Sequence, residues 1–496
     1  MEQVTASTGL ARDAIGLREV LFQSITHMAP AAAVAFSIPF GAPFAGGALP
    51  LAVLLALIGC LFVALSIGQL AKHLPSAGSF YTYVTRGIHP AVGFLVAWGY
   101  AFVEPLVAPL LYIILGITVA GTLNAEFGWS TDLWWIWALI GASVVFVLGY
   151  LGIKVSARTG TILGIFEIGV FAALGIWLIA EAGGDNTVSV LGTEFANAEG
   201  FEGLKGVFAG SVYTILAFIG FEAAAPLAEE ARDPRRTIKR AVVASALLIG
   251  LFYVLTTYGA AVFFGPESIA AEFQGFNDGN PWDGMARAVW GAGWVLVFLA
   301  IVNSAIANSN AGANAATRTW YAMGRIRLLP AFLSRVHPQW KSPHVAVLGQ
   351  FAVGIGIPLW LGFQFDPATA FGLIATILVA VIVAIYIAVN VACISYYWRF
   401  QREEWSWLLH GLIPVLGIAA FIPAFFTGVG LPVLPGDFIG RLPHPLNKVG
   451  IVVGIVYAIG VLYLIYLYAT NRQRVKDTGR IFIEEAPAAA MPGVPM

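Results

Sequence analysis

The chain has 496 residues, of which 59% are hydrophobic and 11% charged, whereas about a quarter of an ordinary soluble protein is charged. With a mean hydropathy of +0.83, so much apolar surface cannot be hidden in one globular core, and the excess must face lipid. That balance excludes a soluble enzyme, and a net charge of −1 leaves no electrostatic footprint for nucleic acid.

The N-terminal segment, 1–16, carries Glu2, Arg12 and Asp13 and lacks a short apolar run with a cleavage site, so no cleavable signal peptide is expected. At about 20 apolar residues per crossing, six spans are predicted over 17–45, 48–71, 90–121, 133–151, 159–180 and 206–228. Six more follow over 240–264, 289–317, 343–362, 369–397, 407–428 and 449–470. The segment 17–397 holds the first ten, 398–471 holds spans 11 and 12, and 472–496 is a tail. From Ile481 to Met496 that tail has no periodicity and reads as disordered. Cys60 and Cys393 sit in apolar runs and read as buried thiols.

Twelve crossings place both termini on one side. Of the 26 basic residues, only Lys205, Arg287, Arg441 and Lys448 fall opposite, so the positive-inside rule makes the termini cytoplasmic in a cell membrane. Two outward connections stand out. The stretch 266–290, with Glu267, Glu272, Asp278 and Asp283, is a candidate lid of short helices over an entrance. The stretch 431–448 holds Pro432, Pro435, Pro443 and Pro445 and is expected to be irregular.

Proline or glycine inside an apolar run frees backbone groups that lipid cannot satisfy, so such breaks mark cavities. Two occur in corresponding positions: Ser24 to Pro39, interrupted at Pro30, and Tyr213 to Pro226, interrupted at Gly220 beside Glu222. They open two five-span halves, as spans 1 and 6. Paired broken helices of this kind point half-helix ends at substrate charges and freed carbonyls at cations.

Several motifs carry a family likeness. They are Gln69 to Tyr83 followed by Gly93 to Trp98, Phe218 to Arg236, Thr317 to Arg325, and Leu329-Pro330 running to His337-Pro338 and Pro343. In these the chain resembles the permeases of the amino acid, polyamine and organocation superfamily. The resemblance implies an all-α integral membrane protein of 12 transmembrane helices, with the five-plus-five inverted repeat of the leucine-transporter type and broken helices 1 and 6. It also implies secondary transport by alternating access, no cofactor, and spans 11 and 12 at the periphery. Many relatives carry a Gly-Ser-Gly-like turn in the first break, where this chain has Met28-Ala29-Pro30-Ala31-Ala32-Ala33; the break is closer to those of amine permeases in the superfamily.

Glu104, Glu167 and Glu222 are the carboxylates that fall clearly within spans. Each costs about 2.5 kcal/mol or more if ionised and unpaired at mid-depth, which makes each a functional candidate. Glu167 is the candidate for proton coupling: the resemblance places it where some relatives hold a lysine in place of a sodium ion. Glu222 has two readings, a cap on the second half-helix and a substrate contact. Glu104, beside Pro105, is a candidate anchor for an amine.

The candidate substrate site comprises Thr26, His27, Ala29, Pro30, Ala31, Ala32, Glu104, Phe218, Ile219, Gly220, Phe221 and Glu222. Asn303 and Ser304 are a candidate cation site on span 8, within a polar stripe that continues through Asn308, Ser309, Asn310 and Asn314. The stripe reads either as a cation site or as helix-packing glue. No Walker loop, metal cluster or Ser-His-Asp arrangement emerges. The expected partners are an amino acid, or alternatively a cationic amine, together with a proton or, as the alternative, sodium, and membrane lipid.

Overall fold

The structure is a computed structural model that describes residues 15–475 apart from 76–77, 153–156, 230, 275–279, 326, 432–437 and 473. Of residues 157–159 and 229 only the backbone is described. The expected tail, most of the N-terminal segment, Asp278, and Pro432 and Pro435 lie outside these residues.

The secondary structure of the described residues is helical, and their one bridge of strand type is an isolated pairing of Ile15 with Ala231. Eleven helices are long and apolar enough to cross a membrane, and twelve cross when the bent pair Leu204–Phe218 and Phe221–Ala228 counts as one span. This is a multi-pass membrane protein with the five-plus-five architecture and broken helices in spans 1 and 6.

Helix starts follow local chemistry. Pro90, Pro234, Pro281 and Pro367 occupy the first helical positions, where a missing amide costs nothing. The Asp366 side chain accepts the Thr369 amide at 2.8 Å, and that of Asn280 accepts the Trp282 amide at 2.9 Å, closing orphan donors at two starts.

Several spans outrun the apolar stretches that announced them. Span 7 is Pro234–Phe264, beginning before residue 240, and span 8 is Trp294–Arg325, ending past residue 317. Hydropathy registers the thickness of the hydrocarbon layer, whereas Arg235, Arg236 and Arg325 belong to the same helices beyond it. Span 3 runs from Pro90 to Phe127, tightened into a 3₁₀ turn at Glu104–Leu106, where Pro105 removes a helical donor.

The connection after span 7 forms two short helices, Ile269–Gln274 and Pro281–Trp290. The second is tied down by Asn280, whose amide donates to the Ala35 carbonyl of span 1 at 3.4 Å, and by Trp282, whose ring lies 5.3 Å from that of Phe171. On the terminus side, the Arg232 amide donates to the Ile15 carbonyl at 2.8 Å, joining the start of span 1 to the end of span 6.

Span 12, Val449–Thr470, presents Ile451, Ile455, Ile459, Leu462 and Ile465 outward along one stripe, a lipid-facing surface. Its other face meets span 3, where the Trp98 indole donates to the Val456 carbonyl at 2.9 Å. Cys60 and Cys393 are both buried and free.

Candidate functional site

Span 1 breaks between two helical halves, Leu17–His27 and the segment beginning at Pro30. Ala29 carries the turn at φ 47°, in the left-handed region a non-glycine residue rarely occupies. The Ala33 amide is the first to return into the new helix, donating to the Ala29 carbonyl at 2.8 Å. Ala31 and Ala32 therefore carry amides that precede the helix's own ladder. Span 6 breaks at Ile219 and Gly220, with Gly220 at φ 119°. A Cβ there would sit 2.7 Å from the His27 carbonyl carbon and oxygen, so the second break is built around a glycine pressed on the first.

The two breaks are fastened together on both sides. On one, the Ser24 hydroxyl donates to the Phe221 carbonyl at 2.8 Å and accepts the Ala224 amide at 2.9 Å. On the other, the Tyr253 hydroxyl of span 7 lies 2.9 Å from the carbonyl oxygens of both Met28 and Ala217, its single proton serving two helix ends.

Between them lies a cavity of about 30 Å³, room for about two waters. Its walls come from both sides of the first break, from span 3 (Val107, Leu110, Leu111, Ile114), span 6 (Leu216, Ala217, Ile219), span 8 (Asn308) and span 10 (Leu378). The polar side chains on it are His27, Ser37 and Asn308.

The sequence-predicted residues divide around this cavity. His27, Ala29, Ala32 and Ile219 line it. Thr26 is half-buried off the cavity, with its carbonyl accepting the Ala29 amide at 3.1 Å. Pro30, at the first position of the second half, is buried behind the lining. Phe218 turns away to stack edge-on against Tyr253, with ring centroids 5.3 Å apart, and Phe221 packs on Tyr386 at 5.5 Å.

Glu222 accepts the Gly220 amide at 3.0 Å and faces the Tyr386 hydroxyl. Glu104 faces Tyr100, and its Oε1 stands 3.7 Å from His27 Nε2. Tyr100 and Tyr386, which no sequence pattern singled out, thus complete a buried cluster with His27, Glu104 and Glu222 beside the cavity.

Glu167 occupies a second position. It is buried on span 5, facing the Ala31 amide at the first break and the Ser304 hydroxyl of span 8. Glu167 Oε2 and Ser304 Oγ have no close hydrogen-bond partner. Among the described residues no basic side chain pairs with Glu167.

The polar stripe of span 8 resolves into two faces. Ser304 looks at Glu167 and Asn308 at the central cavity, whereas Asn310, Asn314 and Thr317 line a separate cavity of about 20 Å³ against spans 3, 4 and 9. At 100° per residue, Asn308 and Asn310 point in nearly opposite directions. Asn303 is half-buried off the Ser304 face. Tyr253 and Ser37 were missed because one tyrosine or serine in an apolar run carries no local signal; only the fold shows what they touch.

A family model for amino acid permeases matches residues 19–433. The chain belongs to the amino acid permease family. It is similar along most of its length to the low-affinity putrescine importer PlaP of Escherichia coli, with 26% identity over 91% of this chain and 93% of that one. It is also similar to the branched-chain amino acid permease BcaP of Bacillus subtilis, 28% identical over 62% of this chain and 66% of that one. With the lysine-specific permease LysP of Lactococcus lactis it shares 27% identity over 60% of each chain. A permease is a transporter and not an enzyme, which accords with a small central cavity formed where two helices break.

Proposed function

We propose that this permease imports an amino acid across the cell membrane by proton symport with alternating access, both termini lying in the cytoplasm. The observation that carries the reading is the position of Glu167, buried against the Ala31 amide at the first break and against Ser304 of span 8. A charged carboxylate there holds the buried Ala31 amide and the span 8 hydroxyl together, because each can donate to it. A protonated one makes a weaker tie and leaves the Ala31 amide free for a substrate carboxylate. Substrate and proton are then taken up together, and the return of the empty carrier follows loss of the proton on the far side. The excess of basic residues on the terminus side supports the orientation.

A second reading, import of a cationic amine, draws on Glu104 and Glu222 beside the first break and on the similarity to a putrescine importer over 91% of the chain. Sodium in place of the proton would use Ser304 beside Glu167, since Asn303 lies off that face.

The test is counterflow and accumulation in proteoliposomes, offering labelled amino acids and putrescine with and without an inward proton gradient. Gradient-driven accumulation of an amino acid, insensitive to replacing sodium by choline, is expected. Steady electrodiffusive flux without exchange would make the protein a channel and defeat the carrier reading.

A further inference from the structure

We infer that the central cavity selects a neutral amino acid with an aliphatic side chain over diamines and charged amino acids, and that Leu110, Ile114, Leu216 and Leu378 set this choice; the inference rests on the transport reading above. On span 3, Leu110 and Ile114 lie one helical turn apart and share a face toward the cavity, with Leu216 and Leu378 meeting them from spans 6 and 10. No carboxylate lies on this wall among the described residues, and its polar side chains are His27, Ser37 and Asn308. The neighbouring carboxylates stand behind this wall, Glu104 against Tyr100 and 3.7 Å from His27, and Glu222 on the Gly220 amide and Tyr386.

A diamine brings two ammonium groups, and in this cavity at least one would be buried against hydrocarbon with no anion on the wall itself to meet it, a placement that desolvation strongly disfavours. A lysine side chain meets the same obstacle. A neutral zwitterion does not. Its ammonium can take the negative end of the first half of span 6, where the chain breaks after Phe218. Its carboxylate can take the amides of Ala31 and Ala32. Both charges are then held by backbone, and once the walls part to admit a molecule larger than the present cavity, what remains is an aliphatic group against four aliphatic side chains.

The experiment is competition for counterflow by the full-length protein in proteoliposomes, with alanine, valine, leucine, lysine and putrescine as competitors. At least one aliphatic amino acid is expected to compete at a concentration tenfold or more below that needed for lysine or putrescine. Ile114→Ala and Leu378→Ala, which enlarge the cavity from spans 3 and 10, should each move the leucine-to-alanine preference at least fivefold toward leucine. Preference for putrescine or lysine in the unaltered protein would overturn the inference while leaving transport intact. An unchanged leucine-to-alanine ratio in both well-inserted variants would overturn the assignment of the walls. Absence of counterflow with every one of these compounds would instead count against the transport reading on which the inference rests.

Discussion

His27 of span 1 and Glu104 of span 3 face each other across 3.7 Å, Nε2 to Oε1, both buried, and Glu104 Oε1 has no hydrogen-bond partner. The pair joins the broken helix to the 3₁₀ turn at Glu104–Leu106, so it links the break in span 1 to the span that frames the cavity. A double-mutant cycle with His27→Gln and Glu104→Gln, read by thermal unfolding in detergent, should give a coupling energy of about 0.5–3 kcal/mol. Strict additivity of the two substitutions would mean that the side chains do not interact.

Glu167→Gln preserves size and removes titration. Counterflow, which needs no net driving force, should persist at a reduced rate, while accumulation driven by a proton gradient should fall to the level reached without one. Glu167→Asp should restore part of the accumulation. Gradient-driven accumulation by Glu167→Gln equal to that of the unaltered protein would remove Glu167 from the coupling step.

Gly220 has φ 119° and lies against His27, so even a methyl group there must displace backbone. Gly220→Ala is expected to cost about 1–3 kcal/mol of stability through strain, and to slow transport by tenfold or more. Circular dichroism and size-exclusion chromatography would establish insertion and folding, and normal uptake by a folded variant would show that this turn tolerates a side chain.

Tyr253→Phe deletes one hydroxyl and leaves the buried Met28 and Ala217 carbonyls without their shared donor. The loss should be about 1–3 kcal/mol in unfolding free energy. Because the same bond ties span 7 to both breaks, counterflow should slow more than substrate affinity weakens, which separate measurements of rate and binding would resolve.

At the terminus side of span 2, Lys72 Nζ reaches Glu404 at 2.5 Å and His73 Nε2 lies 3.0 Å from the same oxygen. These hydrogen bonds hold the Glu404 carboxyl below its ordinary value. A depressed value in the folded state means that the stabilisation is complete above about pH 4.3, the unfolded glutamate value, and is lost as the pH falls through the depressed value. The group is part-exposed, so Glu404→Gln should cost only about 0.2–1 kcal/mol at pH 7, and the gap in melting temperature between the two proteins should shrink as the pH falls below the ordinary glutamate value. A gap that stays constant across that range would place the effect in packing instead.

The membrane character, the number of spans and the positions of both breaks were legible in the sequence, because each depends on residues close together along the chain. A run this long and apolar is a candidate to cross lipid, and Pro30 and Gly220 mark where a helix can break, although Pro358 and Pro423 sit inside continuous helices. Pro30 nevertheless begins the second half-helix, while Ala29 makes the turn. The charged candidates were legible as residues but not as neighbours. Glu167 was visible as a costly carboxylate, yet its approach to Ala31 and Ser304 joins three spans far apart in the chain.

Which side chains reach the cavity was decided by tertiary structure alone. Phe218 and Ile219 are adjacent, and one stacks on Tyr253 while the other lines the cavity. Asn308 and Asn310 are two apart and face different cavities. Hydropathy sums over all directions around a helix, whereas facing depends on its rotation, 100° for each residue, and that angle is fixed by contacts among spans that sequence order does not reveal.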